Sequence, residues 1–126
     1  MHVNGISYNP DLDQIIFSSH YLNEFYVIDH STSMQEAAGH TGGRCGKGGD
    51  FLYRWGCPQN YDRGSSVDQV FYTVHNSYWI PDGLPVPGIL LHLIMGETGR
   101  MAAIPVLRKL FRLWTAAAAE WKYSDL

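Results

Sequence analysis

Residues 14–29 read QIIFSSHYLNEFYVID and contain two β-prone runs separated by a short polar segment. The run Gln14–Ser19 predicts a buried strand, because polar residues bound its apolar centre, and Glu24–Asp29 predicts the next strand. Upstream, Ile6–Tyr8 predicts another strand, since NPDLD at residues 9–13 is a strong turn signal. Strands that follow one another about every 8–12 residues are typical of an antiparallel all-β protein. The three runs have about this spacing and therefore predict a meander.

The residues after this meander predict the rest of one sheet and the start of another. Residues 31–50 are rich in glycine and poor in large apolar side chains, which predicts a long loop. Asp50–Gly56, DFLYRWG, predicts the outer strand that closes the first sheet. The second sheet is predicted to consist of the runs Val70–Val74, Tyr78–Ile80 and Ile89–His92.

The predicted fold class is therefore all-β, with about one and a half four-stranded antiparallel sheets. Repeated four-stranded sheets are typical of β-propeller blades, which bury both faces only against neighbouring blades. One and a half blades would leave large apolar faces exposed and would be unstable alone. We therefore expect residues 1–92 to be a fragment of a β-propeller.

The composition argues against several classes of protein. The chain has 126 residues, of which 17% are charged and 13% aromatic, and its formal net charge is −3. This acidic balance argues against a nucleic-acid-binding protein. The longest apolar stretch, residues 85–95, is too short and too interrupted to span a membrane, and we expect no secretory signal segment in this chain. Cys45 and Cys57 permit one disulfide at most, and the sequence leaves open whether they pair.

Known metal and cofactor motifs are not matched. The six histidines and two cysteines show no spacing such as HExxH or CxxC, so we expect no metal site. The DLD of residues 11–13 lacks the glycine and distal glutamate of a calcium loop and predicts a turn. The segment GHTGGRCGKGGD at residues 39–50 superficially resembles a phosphate-binding loop, but its spacing fails the pattern and favours a flexible loop. We therefore expect no cofactor.

Two histidines lie at predicted strands rather than on a helix. His2 immediately precedes the predicted strand Val3–Tyr8, and His75 stands among aromatic residues ahead of Trp79. An imidazole at the mouth of a sheet can act as an acid, a base or a nucleophile near neutral pH. Taken singly, each is more simply explained as a structural histidine.

The chain resembles the arylsulfate sulfotransferase family in an ordered series of segments. They are HVNGISYNPDLDQIIFSS (2–19), VIDHST (27–32), AGHTGG (38–43), GKGGDFLYRWG (46–56) and VHNSYWIPDG (74–83). The resemblance covers about residues 2–92 and implies a six-bladed β-propeller. Members of this bacterial family transfer a sulfuryl group from a phenolic ester to another phenol without a nucleotide sulfate donor, and they are typically exported to the periplasm. For a full-length relative, the resemblance implies a periplasmic or secreted location.

The resemblance also assigns roles to four residues. His75 matches the histidine that becomes sulfated, and His2 matches a sulfate-site histidine that stabilises charge or transfers protons. Asn4 is expected to orient His2 or the substrate. His20 stands where the family has an arginine that binds the sulfate oxyanion, and Gly5 replaces the usual serine. The loss of a fixed bidentate cation is expected to weaken oxyanion binding.

Residues 93–126 depart from the family and from the composition of residues 1–92. They carry five basic and three acidic side chains, against four basic and nine acidic side chains in residues 1–92. Residues 99–123 have the periodicity of an amphipathic helix. One hypothetical coding string gives the family-like FNNGRDRPDGSYSSV in one frame and LIMGETGRMAAIPV, residues 93–106, in the next. We therefore expect residues 93–126 to be a non-native, frameshifted helical tail.

Two functional hypotheses follow from these observations. The first is a truncated arylsulfotransferase-like protein that acts on a phenolic sulfate donor and a phenol acceptor when complete, and is inactive as this chain alone. The second is a non-enzymatic binding module derived from a propeller, which needs a partner or self-association through exposed sheet edges. A free-standing enzyme of another class has little support, because the chain lacks paired carboxylates and a nucleophile elbow.

Overall fold

A computed structural model describes residues 2–79 and, for the backbone alone, residues 90–94. The described part is mostly β, with little helix. Its strands are β1 (Val3–Asn9), β2 (Gln14–Ser19), β3 (Glu24–Asp29), β4 (Tyr53–Trp55), β5 (Val74–Trp79) and β6 (Leu90–Ile94). The helical segments are α1 (Met34–Ala37) and two 3₁₀ turns, Pro58–Tyr61 and Ser66–Asp68.

Strands β1 to β4 form one antiparallel sheet in sequence order. The predicted strands Gln14–Ser19 and Glu24–Asp29 are confirmed with their predicted bounds. The first strand begins at Val3, before the β-prone run Ile6–Tyr8, and ends at Asn9. The closing strand is shorter than DFLYRWG, since only Tyr53–Trp55 pairs with β3. The prediction of a four-stranded meander is therefore confirmed.

Strands β5 and β6 form a separate two-stranded antiparallel sheet that packs with β5 against β1 and β2. The prediction of a strand at Val70–Val74 is wrong, because β5 begins only at Val74. Thr73 has a left-handed φ of 51°, which interrupts an extended chain, and its N–H donates to Asn23 Oδ1. Within the range described, the predicted strand Tyr78–Ile80 is the end of β5.

The core lies between the two sheets. Its buried apolar side chains are Ile16, Phe25, Val27, Phe71 and Val74, with Leu52, Tyr53, Trp55 and Trp79 packed at its margin. Alternation along β2 and β3 places Ile16, Phe25 and Val27 on the face that β5 covers. Phe71 enters the core from an irregular segment, so its burial comes from packing rather than from strand pairing.

The loop of residues 31–50 contains α1, which the glycine-rich composition did not predict. Ser33 and Glu36 form a reciprocal capping box at the start of this helix. The glycine-rich part then folds over two carboxylates of the protein itself. Gly43 N–H donates to Glu36 Oε1, and Cys45 N–H donates to Asp29 Oδ2. The segment that superficially resembles a phosphate-binding loop therefore directs N–H groups at internal anions.

The predicted boundary between residues 92 and 93 falls inside β6, which continues to Ile94. The helical periodicity of residues 99–123 lies outside the described residues. In the described part of the chain, no helix has the length and apolar character needed to cross a membrane.

Candidate functional site

Antiparallel pairing of β1 with β2 brings His2 and His20 together. Val3 is opposite Ser19, so the residues just outside the paired segment, His2 and His20, are neighbours at the same edge. The N–H of His20 donates to the carbonyl of His2 at 2.8 Å. The two rings stack with centroids 5.4 Å apart and planes 18° from parallel.

His75 joins these rings from the second sheet. It lies on β5 beside an irregularity between His75 and Tyr78, where Asn76 adopts a left-handed φ of 56°. Its ring centroid is 5.0 Å from that of His20, and the ring planes are nearly perpendicular at 83°. We call His2, His20 and His75 the histidine cluster.

Asn4 links β1 to β2 and β5, the strands next to which or on which the three histidines lie. It is the extra residue of a bulge in β1, since the register shifts between Val3 and Gly5. Its Nδ2 donates to the carbonyl of Val74, and its Oδ1 accepts a hydrogen bond from Ser18 Oγ at 2.8 Å. These bonds give Asn4 a positioning role next to His75. The expected contact of Asn4 with His2 or with a substrate stays a prediction.

Gly5 allows β5 to approach β1 closely at the histidine cluster. A Cβ on Gly5 would lie 2.7 Å from Asn76 Cα and 2.8 Å from Ser77 N. Both neighbouring atoms belong to the backbone, so they cannot move aside as a flexible side chain would. The serine expected here from the family resemblance does not fit this packing, and glycine does.

Tyr21 is a further residue of this region that the sequence analysis did not identify. It follows His20 in the turn between β2 and β3, and its ring is edge-on to both His2 and His20. The corresponding centroid distances are 5.6 Å and 5.1 Å. The sequence places Tyr21 directly after His20, but this position indicates a role only once the histidine cluster is known.

The described neighbours that act on the charge of the cluster are its own histidines. Burial lowers the pKa of His20, and the neighbouring His75 and His2 lower it further. By contrast, Nδ1 of His30 lies 2.7 Å from Asp13 Oδ1, and Nδ1 of His40 lies 2.8 Å from Asp50 Oδ1. Among residues 2–79, no carboxylate forms an ion pair with the cluster.

Several other candidate chemistries find no support within the described range. No set of three histidine, cysteine or acidic side chains there is arranged to hold a metal ion. Cys45 and Cys57 are free thiols, and burial raises the pKa of Cys45. Cys45 Sγ accepts a hydrogen bond from Gln14 Nε2, while Cys57 Sγ donates to Gln69 Oε1. The two thiols therefore lie in separate environments.

No protein-family model, curated protein sequence or solved structure matches this chain. The geometry of the histidine cluster is thus the basis for a functional proposal, together with the motif resemblance.

Proposed function

We propose that the histidine cluster binds a sulfuryl oxyanion and that the chain is part of an arylsulfate sulfotransferase-like β-propeller. In this proposal His75 accepts the sulfuryl group, while His2 and His20 hold its oxygens. Turnover needs further blades, so the chain alone does not transfer sulfate between phenols. The observation that carries the proposal is the convergence of three histidines, far apart in sequence, with no acidic partner in the described part of the chain.

The absence of a carboxylate near the cluster within the described residues favours anion binding over metal binding. A metal-binding histidine commonly donates its second ring N–H to a carboxylate or a backbone carbonyl. An imidazole without such a partner presents N–H donors that suit an oxyanion, most strongly when it is protonated. The stacked pair His2–His20 places two such rings side by side.

The proposed chemistry consists of two balanced displacements at sulfur. In the first, a neutral His75 nitrogen attacks the sulfur of an aryl sulfate, an N–S bond forms, and the S–O bond breaks. The phenolate leaves with the electron pair of that bond. In the second, a phenol oxygen attacks the same sulfur, the N–S bond breaks, and the phenol proton passes to His2. The N–H groups of His2 and His20 stabilise the charge on the transferring oxygens.

The sheet faces support the propeller part of the proposal. β5 covers one face of the four-stranded sheet, whereas the opposite face exposes Ile6 at 71% and Phe51 at 45%. Tyr8 on the same face is also exposed. A propeller blade is covered on both faces by its neighbours. If the four-stranded sheet is such a blade and β5 belongs to one neighbour, its second face is expected to be apolar.

Sulfate binding tests the proposal directly. We expect isothermal titration calorimetry at pH 6 to show one sulfate site, and His2→Asn to weaken its affinity about tenfold or more, because a hydrogen bond to the charged sulfate is lost. His40→Asn is the matched control, since His40 is a histidine paired with Asp50, and it is expected to leave the affinity unchanged. Equal affinities in the wild type and His2→Asn would contradict the proposal.

The need for further blades is tested by turnover. We expect the chain to release no phenol from an aryl sulfate above the rate of the His75→Asn variant. A His75-dependent rate in the isolated chain would show that further blades are not required.

A non-enzymatic binding module is the second candidate, and the edge strand β1 favours it. The strand reads VNGISYN, has no charged residue or proline, and exposes Val3, Ile6 and Tyr8. Natural edge strands commonly carry charged residues or proline, which prevent pairing with another chain. A module that associates through β1 would bind no sulfate and would form dimers or larger species at low protein concentration.

A further inference from the structure

We propose that Tyr21 is a specificity-determining residue that packs against the aromatic ring of a sulfate ester bound at the histidine cluster. This inference rests on the proposed function, because it requires a sulfuryl oxyanion at His2, His20 and His75. In this proposal Tyr21 recognises the aromatic ring of the ester, whereas the three histidines interact with its sulfuryl group.

The position of Tyr21 suits this role. Tyr21 is 72% exposed, although its ring lies against two rings of the histidine cluster. Its plane makes angles of 71° with His2 and 80° with His20, so it stands at the side of the stacked pair. These edge contacts leave most of the tyrosine ring open to solvent next to the cluster.

The turn that carries Tyr21 is fixed at both ends. The N–H of His20 is bonded to the carbonyl of His2, and the N–H of Asn23 donates to the carbonyl of His20. The side chain of Asn23 accepts from the N–H of Thr73, which precedes β5. The turn is thereby attached to both sheets, and the tyrosine ring is held at a defined place beside the cluster.

The covalent structure of an aryl sulfate brings its ring to this place. The aromatic carbon is separated from sulfur by one oxygen, so the ring of a bound ester must lie immediately beside the oxyanion site. Aromatic rings pair favourably at centroid distances of about 4.5–7 Å in offset or edge-to-face geometry. Tyr21 is within that distance of two cluster rings, and its exposed surface is available to a third ring.

The test compares two monoanionic esters, phenyl sulfate and methyl sulfate, which differ in the ring. We expect the wild-type chain to bind phenyl sulfate about 2- to 10-fold more tightly than methyl sulfate, as expected for one aromatic pair. Tyr21→Ala should abolish that preference and leave the affinity for methyl sulfate unchanged. Tyr21→Phe should retain the preference, and the unchanged affinity of Tyr21→Ala for methyl sulfate shows that the alanine variant is folded.

Tyr8→Ala is the matched control. Tyr8 is likewise exposed and edge-on to a histidine, His30, at a centroid distance of 4.9 Å, but it lies at the other end of β1. Tyr8→Ala should leave the preference for phenyl sulfate unchanged. If methyl sulfate binds and Tyr21→Ala keeps the wild-type preference, the role of Tyr21 is refuted while the proposed function stands. If neither ester binds the wild-type chain, both are refuted.

Discussion

At the scale of single residues, the histidine cluster depends on how closely two backbones approach. Gly5 on β1 faces Asn76 and Ser77 on β5, and the Asn4 side chain bonds to the carbonyl of Val74 one residue before His75. A larger residue at position 5 would push β5 away from β1. The ring of His75 would then move away from His20, so the packing and the site are linked.

Gly5→Ala is therefore expected to destabilise the chain by about 1–3 kcal/mol, the usual cost of overpacking a close-packed region. Urea unfolding measures the change. Gly39→Ala is the control, because a Cβ on Gly39 would meet Glu36 O at 3.7 Å and Gln35 O at 4.0 Å, which are ordinary contact distances, and a change within about 0.5 kcal/mol is expected. Equal effects of the two substitutions would contradict the close approach of β5 to Gly5.

The pH dependence of stability should report the burial of His20. Its pKa is lower in the folded chain than in the unfolded chain, so the unfolded chain binds more protons near the usual histidine pKa of about 6.5. The free energy of unfolding therefore falls as the pH falls through this range. We expect the melting temperature to decrease between about pH 7 and pH 5 and the decrease to be smaller in His20→Gln. An identical pH profile in the two proteins would contradict this assignment.

At the scale of elements, the loop of residues 31–50 is held by carboxylates rather than by a core. Asp29 Oδ1 accepts from the N–H of Ser31, and Asp29 Oδ2 accepts from the N–H of Cys45 at 2.8 Å. The carboxylate thus joins the end of β3 to the glycine-rich part of the loop. A neutral amide at position 29 offers only one acceptor oxygen.

Asp29→Asn should lower the free energy of unfolding by about 1–3 kcal/mol, because a partly buried N–H loses its acceptor. Chemical denaturation gives the value. Asp50→Asn removes an exposed carboxylate that pairs with His40 and is expected to cost at most about 1 kcal/mol. A cost for Asp29→Asn no larger than that of the control would show that the loop does not depend on this carboxylate.

The elements also show what the sequence could predict. Gln14–Ser19 and Glu24–Asp29 were predicted with their bounds, because polar residues bound each run and every residue inside it pairs. Val70–Val74 has an equally β-prone composition, but it begins with an irregular segment that places Phe71 in the core. Tertiary packing overrode local propensity there.

The site was predictable to a lesser degree. The proximity of His2 and His20 follows from the hairpin register, which the strand prediction already implied. The approach of His75 depends on the bulge in β5 and on sheet packing, neither of which has a local sequence signal. Tyr21 could not be singled out, because its importance arises only from the cluster beside it.

At the scale of the whole molecule, the four-stranded sheet has one covered face and one apolar face. The exposed residues Ile6 and Tyr8 also lie on the edge strand β1, so face and edge form one continuous surface. Surfaces of this kind are typical of interfaces with another sheet or another chain.

Self-association should therefore depend on Ile6. We expect sedimentation velocity to show concentration-dependent association of the wild-type chain, and Ile6→Lys to shift the distribution toward the monomer. Val67→Lys adds the same charge at a residue that is 88% exposed in a 3₁₀ turn and should leave the distribution unchanged. A monomeric wild-type chain with a cooperative unfolding transition would show that the apolar face needs no partner.

Residue-resolved NMR of the imidazole rings shows whether His2, His20 and His75 form one oxyanion site. During titration with sulfate, we predict that the ring signals of His2, His20 and His75 shift together and saturate with one dissociation constant. The signals of His30 and His40 should not follow that curve, because each ring is bonded to a carboxylate. Small, unsaturated shifts of similar size in all five rings would contradict an oxyanion site formed by His2, His20 and His75.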